Sequence, residues 1–310
     1  MKKIHFNKVT IIGVGLIGGS LAISLKEAGA CDTVVGVGRG IENLETAKRL
    51  GIIDSYTTDV KEGVKDSDFV VVGVPVLSIA KVIKTAAPYF KKGSIVTDVG
   101  SVKEAVVKEA ESLMPKGVFF VGGHPIAGTE HSGAEAAIRG LFKDRRCILT
   151  PTSNTDNKAL EKVKAVWELA GSEVVIMDAA AHDIILASIS HLPHVIAYSL
   201  VNTVADMEGT VPPRPTPFGV GASKGRSGGI KAGDVLKYSA GGFKDFTRIA
   251  SSSPEMWRDI CLMNRDAVLR VLDEFQKRLD EIKGHIKDGN AELVQKDFER
   301  AKRVRDSLKR

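Results

Sequence analysis

The sequence predicts an α/β protein, with a doubly wound parallel sheet followed by an all-α region. Three observations lead there. Short apolar, β-branched runs alternate with helix-period stretches through the first 178 residues of the 310-residue chain. Those runs are continuous rather than alternating, as in strands covered on both faces. A glycine-rich turn, Gly13-Val14-Gly15-Leu16-Ile17-Gly18, joins the first strand to the first helix.

Taken in order, Lys8–Val14 reads as a strand and Ile17–Ala28 as a helix without a breaker until Gly29. Thr33–Val37 is a strand, and Ile41–Leu50 a helix closed by Gly51. Phe69–Val74 is a strand ending at Pro75, followed by the helix Ser78–Pro88, the strand Ser94–Asp98 and the helix Val102–Leu113. Phe119–Gly122, Cys147–Thr150 and Glu173–Met177 complete the strands, with the helix Asn157–Ala170 between the last two. Beyond Asp178 the pattern becomes helical, which divides the chain into residues 1–178 and 179–310. Ala179–Ala205 reads as one long helix kinked at Pro193. Met207–Asp234, rich in Gly and Pro, reads as a long surface loop. Val268, Leu272, Phe275, Leu279, Ile282 and Ile286 then form a 3.5-residue seam that suits a second copy of the chain.

Strand, G-x-G-x-x-G and helix in that order form the dinucleotide-binding fingerprint. Gly13 permits the turn, Gly15 admits a pyrophosphate, and Gly18 brings helix and strand together. An acid that would hold the ribose 2′-hydroxyl belongs at the end of the second strand, but Gly38 and Arg39 stand there. A guanidinium favours a 2′-phosphate, so NADP is preferred to NAD, with Glu42 keeping NAD in play. Leu16, Ile17 and Pro75 complete the expected cofactor contacts.

Composition excludes several classes. No run approaches the roughly 20 apolar residues of a membrane span. The polar N-terminus is too short to be a signal peptide, and three scattered cysteines fit reduced thiols in a cytoplasmic protein. Of the net charge of +6, residues 296–310 carry +4, which reads as a solvated helix end rather than a nucleic-acid arm. Aromatics at 5% are too few for a base-stacking surface.

Chemistry collects just after strands. Asp98-Val99-Gly100-Ser101-Val102-Lys103 leads into a helix, and alone would be an ordinary helix start. Gly122-Gly123-His124-Pro125 fixes a histidine at the sheet edge, where an acid–base role outweighs a core role. Downstream stand Ser190-His191-Leu192-Pro193-His194 and Gly241-Gly242-Phe243-Lys244-Asp245-Phe246-Thr247-Arg248.

Together these motifs resemble the prephenate dehydrogenase family, which includes arogenate and cyclohexadienyl dehydrogenases, over nearly the whole chain. The resemblance implies a Rossmann-type nucleotide domain and an all-α dimerisation domain. It also implies oxidative decarboxylation of prephenate to 4-hydroxyphenylpyruvate in tyrosine biosynthesis. By the same resemblance His124 is the catalytic histidine and Ser101 its hydrogen-bonding companion, while Thr129, Glu130, His194 and Arg248 line the substrate site. A histidine with an ordinary pKa near 6.5 suits the base, and Arg248 suits a substrate carboxylate. Arogenate is the alternative substrate. A β-hydroxyacid dehydrogenase or imine reductase would present a lysine where Gly-Gly-His-Pro stands. A non-enzymatic dinucleotide sensor would not need His124, Ser101 and Arg248 together.

Overall fold

The computed structural model describes residues 4–129, 131–207 and 235–308. Glu130 and the Gly/Pro-rich loop up to Asp234 therefore lie outside the described residues. The chain forms two compact units, Met1–Asn264 and Arg265–Arg310. Asp178, the boundary expected from sequence, caps a helix inside the first unit, where its carboxylate accepts from the Ala181 N–H at 2.9 Å.

The first unit is built on an eight-stranded sheet in the order β3-β2-β1-β4-β5-β6-β7-β8. The strands are β1 (Phe6–Ile12), β2 (Cys31–Val37), β3 (Ser55–Thr57), β4 (Phe69–Val72), β5 (Ile95–Asp98), β6 (Phe119–Pro125), β7 (Arg146–Thr150) and β8 (Glu173–Ile176). Helices α1 (Leu16–Glu27), α2 (Ile41–Arg49), α3 (Val60–Val64), α4 (Val76–Ala86), α5 (Glu104–Leu113) and α6 (Asn157–Leu169) connect them. β3 and α3 are too short to give a periodic signal and escape the sequence reading.

Period two explains the continuous apolar runs. Val9, Ile11, Phe69 and Val71 face one core, with Leu21, Leu25, Val163 and Trp167. Ile12, Val70 and Val72 face the other, with Ile79, Ile83, Val106 and Trp257. The chain winds outward from β1 in both directions, so β1 and β4 flank the switch point at which ligands settle in such sheets.

The sheet is not wholly parallel, which corrects the sequence expectation. β6 and β7 are antiparallel, with His124 opposite Ile148 and Pro125 opposite Cys147. A parallel connection needs a crossover, usually a helix. Among the described residues of 126–145 the only helical element is the 3₁₀ turn Ala134–Ala136, and the chain re-enters the sheet from the same end.

A second correction concerns the long helix. It consists of α7 (Ala179–Leu186), a π-turn segment (Ala187–His191) and α8 (Leu192–Asp206), with Pro193 in the first turn of α8. Pro193 has no N–H to give the preceding turn, and the helix widens just before it. Ala179–Asp206 is also long and apolar enough to cross a membrane by length and composition, although His182, Asp183 and His191 interrupt its apolar residues. Those three side chains are buried and hydrogen-bonded within the first unit.

After residue 234, α9 (Gly241–Thr247), a 3₁₀ turn (Arg248–Ser251) and α10 (Pro254–Met263) complete the unit. α7 packs on α5, and α10 on α4. The second unit is the helix pair α11 (Arg265–Lys287) and α12 (Ala291–Ser307). The expected seam lies on α11, where Leu279 and Ile286 remain 47% and 60% exposed.

Candidate active site

One cleft and one buried cluster of polar side chains stand at the ends of the strands. The first is made mostly of backbone. Gly13 has φ +91°, and a Cβ there would lie 2.3 Å from the Gly73 carbonyl oxygen. A Cβ on Gly18 would lie 2.6 Å from the Gly13 oxygen and 2.7 Å from Ile11 Cγ2, so glycine alone lets α1 approach β1 this closely. Gly15 begins α1 without a capping side chain, and open space surrounds its Cβ position. The first N–H groups of α1 are thus available to an anion. A cavity of about 760 Å³ runs past this turn, lined by Gly13, Gly15, Arg39 and Pro75 among the expected contacts. Leu16, Ile17 and Gly18 do not line it: Leu16 and Gly18 are buried, and Ile17 packs against the core. Shape and donor set fit a dinucleotide.

The cluster is made of side chains around His124, which is only 8% exposed at the end of β6. Its Nδ1 lies 2.8 Å from His182 Nε2, and His182 Nδ1 lies 2.7 Å from Asp183 Oδ1. Asp183 also accepts from the Lys103 N–H at 2.8 Å and the Glu104 N–H at 2.9 Å, at the start of α5. These partners dictate the tautomers. Asp183 takes the His182 Nδ1–H, His182 Nε2 takes the His124 Nδ1–H, and the lone pair of His124 is left on Nε2. Burial, then His182, Lys103 and His191, hold the His124 imidazolium well below the ordinary pKa of 6.5. The expectation of an ordinary pKa is thereby corrected. His124 stays neutral because its surroundings are dry and already carry a cation.

Beneath it, Lys103 and Asp98 form a fully buried ion pair. Lys103 Nζ donates to the Gly123 carbonyl at 2.9 Å, and Asp98 accepts from the Gly123 N–H at 3.2 Å and the Gly100 N–H at 2.8 Å. Both backbone polar groups of Gly123 are therefore clamped, which fixes the residue before His124. Ser101 lies in the turn that bears Lys103; its hydroxyl makes no hydrogen bond among the described residues, and His124 Nε2 makes none either.

Helical elements carry the remaining candidate side chains. The His194 ring stacks on Trp257, with centroids 3.6 Å apart, and its Nδ1 lies 2.9 Å from the Ser190 carbonyl. That bond leaves Nε2 for a ligand. Burial is the chief cause lowering the His194 pKa, partly offset by Ser190, and the nearby charge of Arg248 adds to the lowering. Tyr198 Oη donates to the Ser252 carbonyl at 2.7 Å, tying α8 to the turn that carries Arg248. Asn264 Nδ2 donates to the Asp183 carbonyl at 2.8 Å and lies 3.2 Å from His191 Nδ1. The π-turn segment is held to the end of α10 in this way.

Comparison with known proteins agrees with this arrangement. Residues 21–176 match the family described as "Prephenate dehydrogenase, nucleotide-binding domain". Residues 178–214 and 222–300 match "Prephenate dehydrogenase, dimerization domain". The chain belongs to the prephenate dehydrogenase family. It is accordingly an oxidoreductase that uses a nicotinamide dinucleotide. Among its relatives is the prephenate dehydrogenase of Bacillus subtilis, 35% identical over 97% of this chain and 76% of that protein. The cyclohexadienyl dehydrogenase of Zymomonas mobilis is 36% identical over 98% of this chain and 97% of its own length. The crystal structure of A. aeolicus prephenate dehydrogenase with hydroxyphenyl propionate and NAD+ has 38% identity and a TM-score of 0.86. It covers 99% of this chain and 100% of that one.

Of the residues that sequence motifs assign to the site of this family member, Gly13, Gly15, Arg39 and Pro75 gather at the cofactor cleft. His194 and Arg248 come within electrostatic reach of each other. Thr129 is exposed on the connection after β6, and Glu130 lies outside the described residues. His182, Asp183, Asp98, Lys103 and Trp257 were not assigned roles. Asp98 and Lys103 stood in a recognised motif, but nothing distinguished them from a helix start. His182-Asp183 carries no local signal, because its meaning comes from a strand 58 residues earlier.

Proposed function

We propose that this prephenate dehydrogenase family member oxidises and decarboxylates prephenate to 4-hydroxyphenylpyruvate, with NADP preferred to NAD. The observation that carries this reading is the hydrogen-bond chain from Asp183 through His182 to His124, which leaves an imidazole lone pair at the end of β6. The nicotinamide, when bound, supplies the hydride acceptor. His124 Nε2 takes the proton of the ring hydroxyl, so that the oxygen lone pair assists departure of hydride from the same carbon. His182 and Asp183 spread the positive charge that His124 acquires. Once the ring bears a ketone, the bond to the opposite carboxylate breaks, carbon dioxide leaves with its electrons passing to the ring, and His124 can return the proton to the phenol oxygen. Ser101 is the hydrogen-bonding companion of His124, and Arg248 holds a carboxylate in a charge-assisted pair. Thr129, Glu130 and His194 complete the pocket.

NADP preference rests on Arg39 in the cofactor cleft, with no carboxylate at Gly38. Lys81 lines the same cavity and adds a second cation. The half-exposed seam of α11 supports a homodimer, and three free thiols support a cytoplasmic location. Initial rates with prephenate and arogenate, each with NAD and NADP, test the reading. Turnover dominated by arogenate would overturn the substrate, and turnover dominated by NAD would overturn the cofactor.

A further inference from the structure

Asn43 occupies a position that neither the fingerprint nor the acid–base centre explains. It sits in the first turn of α2, half-buried, and lines the cofactor cavity. Its Nδ2 donates to the Val14 carbonyl at 2.8 Å, inside the glycine turn. Its Oδ1 accepts from the Ala134 N–H at 2.8 Å, on the connection between β6 and β7. One neighbour is only an acceptor and the other only a donor, so a primary amide serves both and a carboxylate cannot.

The connection it grips is the one that carries Thr129. Upstream, that connection is held by the Ile126 N–H on the Arg146 carbonyl at 2.7 Å. Downstream, Gly133 also lines the cavity, and a Cβ there would lie 3.2 Å from Asn43 Oδ1. Beyond it the Ile138 N–H donates to Ser20 Oγ at 3.0 Å, on α1. The connection is thus fixed at Ile126 and again at Ala134, where its anchor is a side chain on the wall of the cofactor cleft.

We propose that Asn43 is a positioning residue that couples cofactor binding to the placement of the connection bearing Thr129, so that dinucleotide and substrate bind cooperatively. This rests on the substrate site described above. A dinucleotide seated against Gly13 and Gly15 fixes the Val14 carbonyl, and through Asn43 the Ala134 N–H. Coupling of this kind is reciprocal: each ligand tightens the other by the same factor.

Calorimetric titration of the full chain tests it, with hydroxyphenyl propionate as probe, in the absence and presence of saturating NADP. In the unaltered protein, NADP should tighten the probe about 5-fold or more, and the probe should tighten NADP equally. Asn43→Asp keeps the acceptor for Ala134 but loses the donor to Val14, and should bring that ratio to within about 2-fold of unity. Asn43→Ala should do the same. Ser20→Ala, which breaks the other tether, should retain it. A merely structural loss would weaken both ligands and leave the ratio unchanged; that outcome overturns the proposal. Hydrogen exchange on the unaltered protein provides a reading that needs no variant. NADP alone should slow exchange over residues 126–134, and no slowing overturns the proposal. Failure of the probe to bind under any condition would overturn the substrate reading itself, and this inference with it.

Discussion

The cofactor cleft and the His124 centre lie at the ends of strands in one sheet and are built in opposite ways. The first uses backbone from one contiguous stretch, Gly13 to Gly18, in which side chains matter chiefly by their absence. The second uses side chains from β5, the start of α5, β6 and α7, joined by a hydrogen-bond chain through His182. A phosphate can be held by N–H groups that every residue has. A base with a defined tautomer requires particular partners at particular atoms. The backbone cleft should therefore tolerate change in its rim, whereas the side-chain centre should fail steeply.

The largest expected effect lies at the base. His124→Asn should lower kcat about 100-fold or more while changing KM for prephenate by less than about 10-fold. A variant keeping half its kcat would remove His124 from the chemistry. Asp183→Asn comes next, because in either orientation its amide N–H opposes an N–H of Lys103, Glu104 or His182. Reversal of the His182 tautomer would leave His124 protonated on Nε2, and kcat should fall by about 10- to 100-fold. Unaltered kcat with a changed melting temperature would reduce Asp183 to a structural role.

Arg248→Ala should act on binding, raising KM for prephenate by an amount matching about 1.5–3 kcal/mol, with a smaller effect on kcat. Equal loss in kcat and kcat/KM would instead place the guanidinium at the transition state. Smaller effects are expected at the cofactor rim. Arg39→Ala should weaken NADP severalfold and leave NAD nearly unchanged. Gly38→Asp should reverse the preference, and it is sterically allowed because a Cβ there meets only Leu44 at ordinary contact distance. Unchanged NADP and NAD constants in both variants would refute a role for this rim in selectivity.

Acid stability separates the two regions in another way. Burial lowers the pKa of His191 to about 4, and Asn264 already donates toward its Nδ1. An unfolded histidine takes up a proton near 6.5, so between 6.5 and about 4 the unfolded chain binds more protons. Stability should thus fall as pH drops through this window and level off below it. His191→Asn should flatten the slope in urea melts, and an unchanged slope would show that His191 does not carry it.

Legibility in sequence followed the same division. The glycine turn, the strand and helix alternation and the seam on α11 could be read because each is local and periodic. β3 and α3 were lost because three and five residues carry no period. The reversed β7 was hidden because strand direction depends on what fills residues 126–145, and a connection without a helix looks like any other loop. Motifs located His124 and Arg248, but only through the company they keep along the chain.

What the sequence determined by itself is the fold class and the dinucleotide turn. Tertiary structure alone decided which nitrogen of His124 keeps its lone pair. That choice depends on a hydrogen bond to His182, whose tautomer depends on Asp183, whose place depends on the first N–H groups of α5. Each link joins elements that spacing along the chain does not relate, so this tautomer exists only where the sheet brings β6, α5 and α7 together.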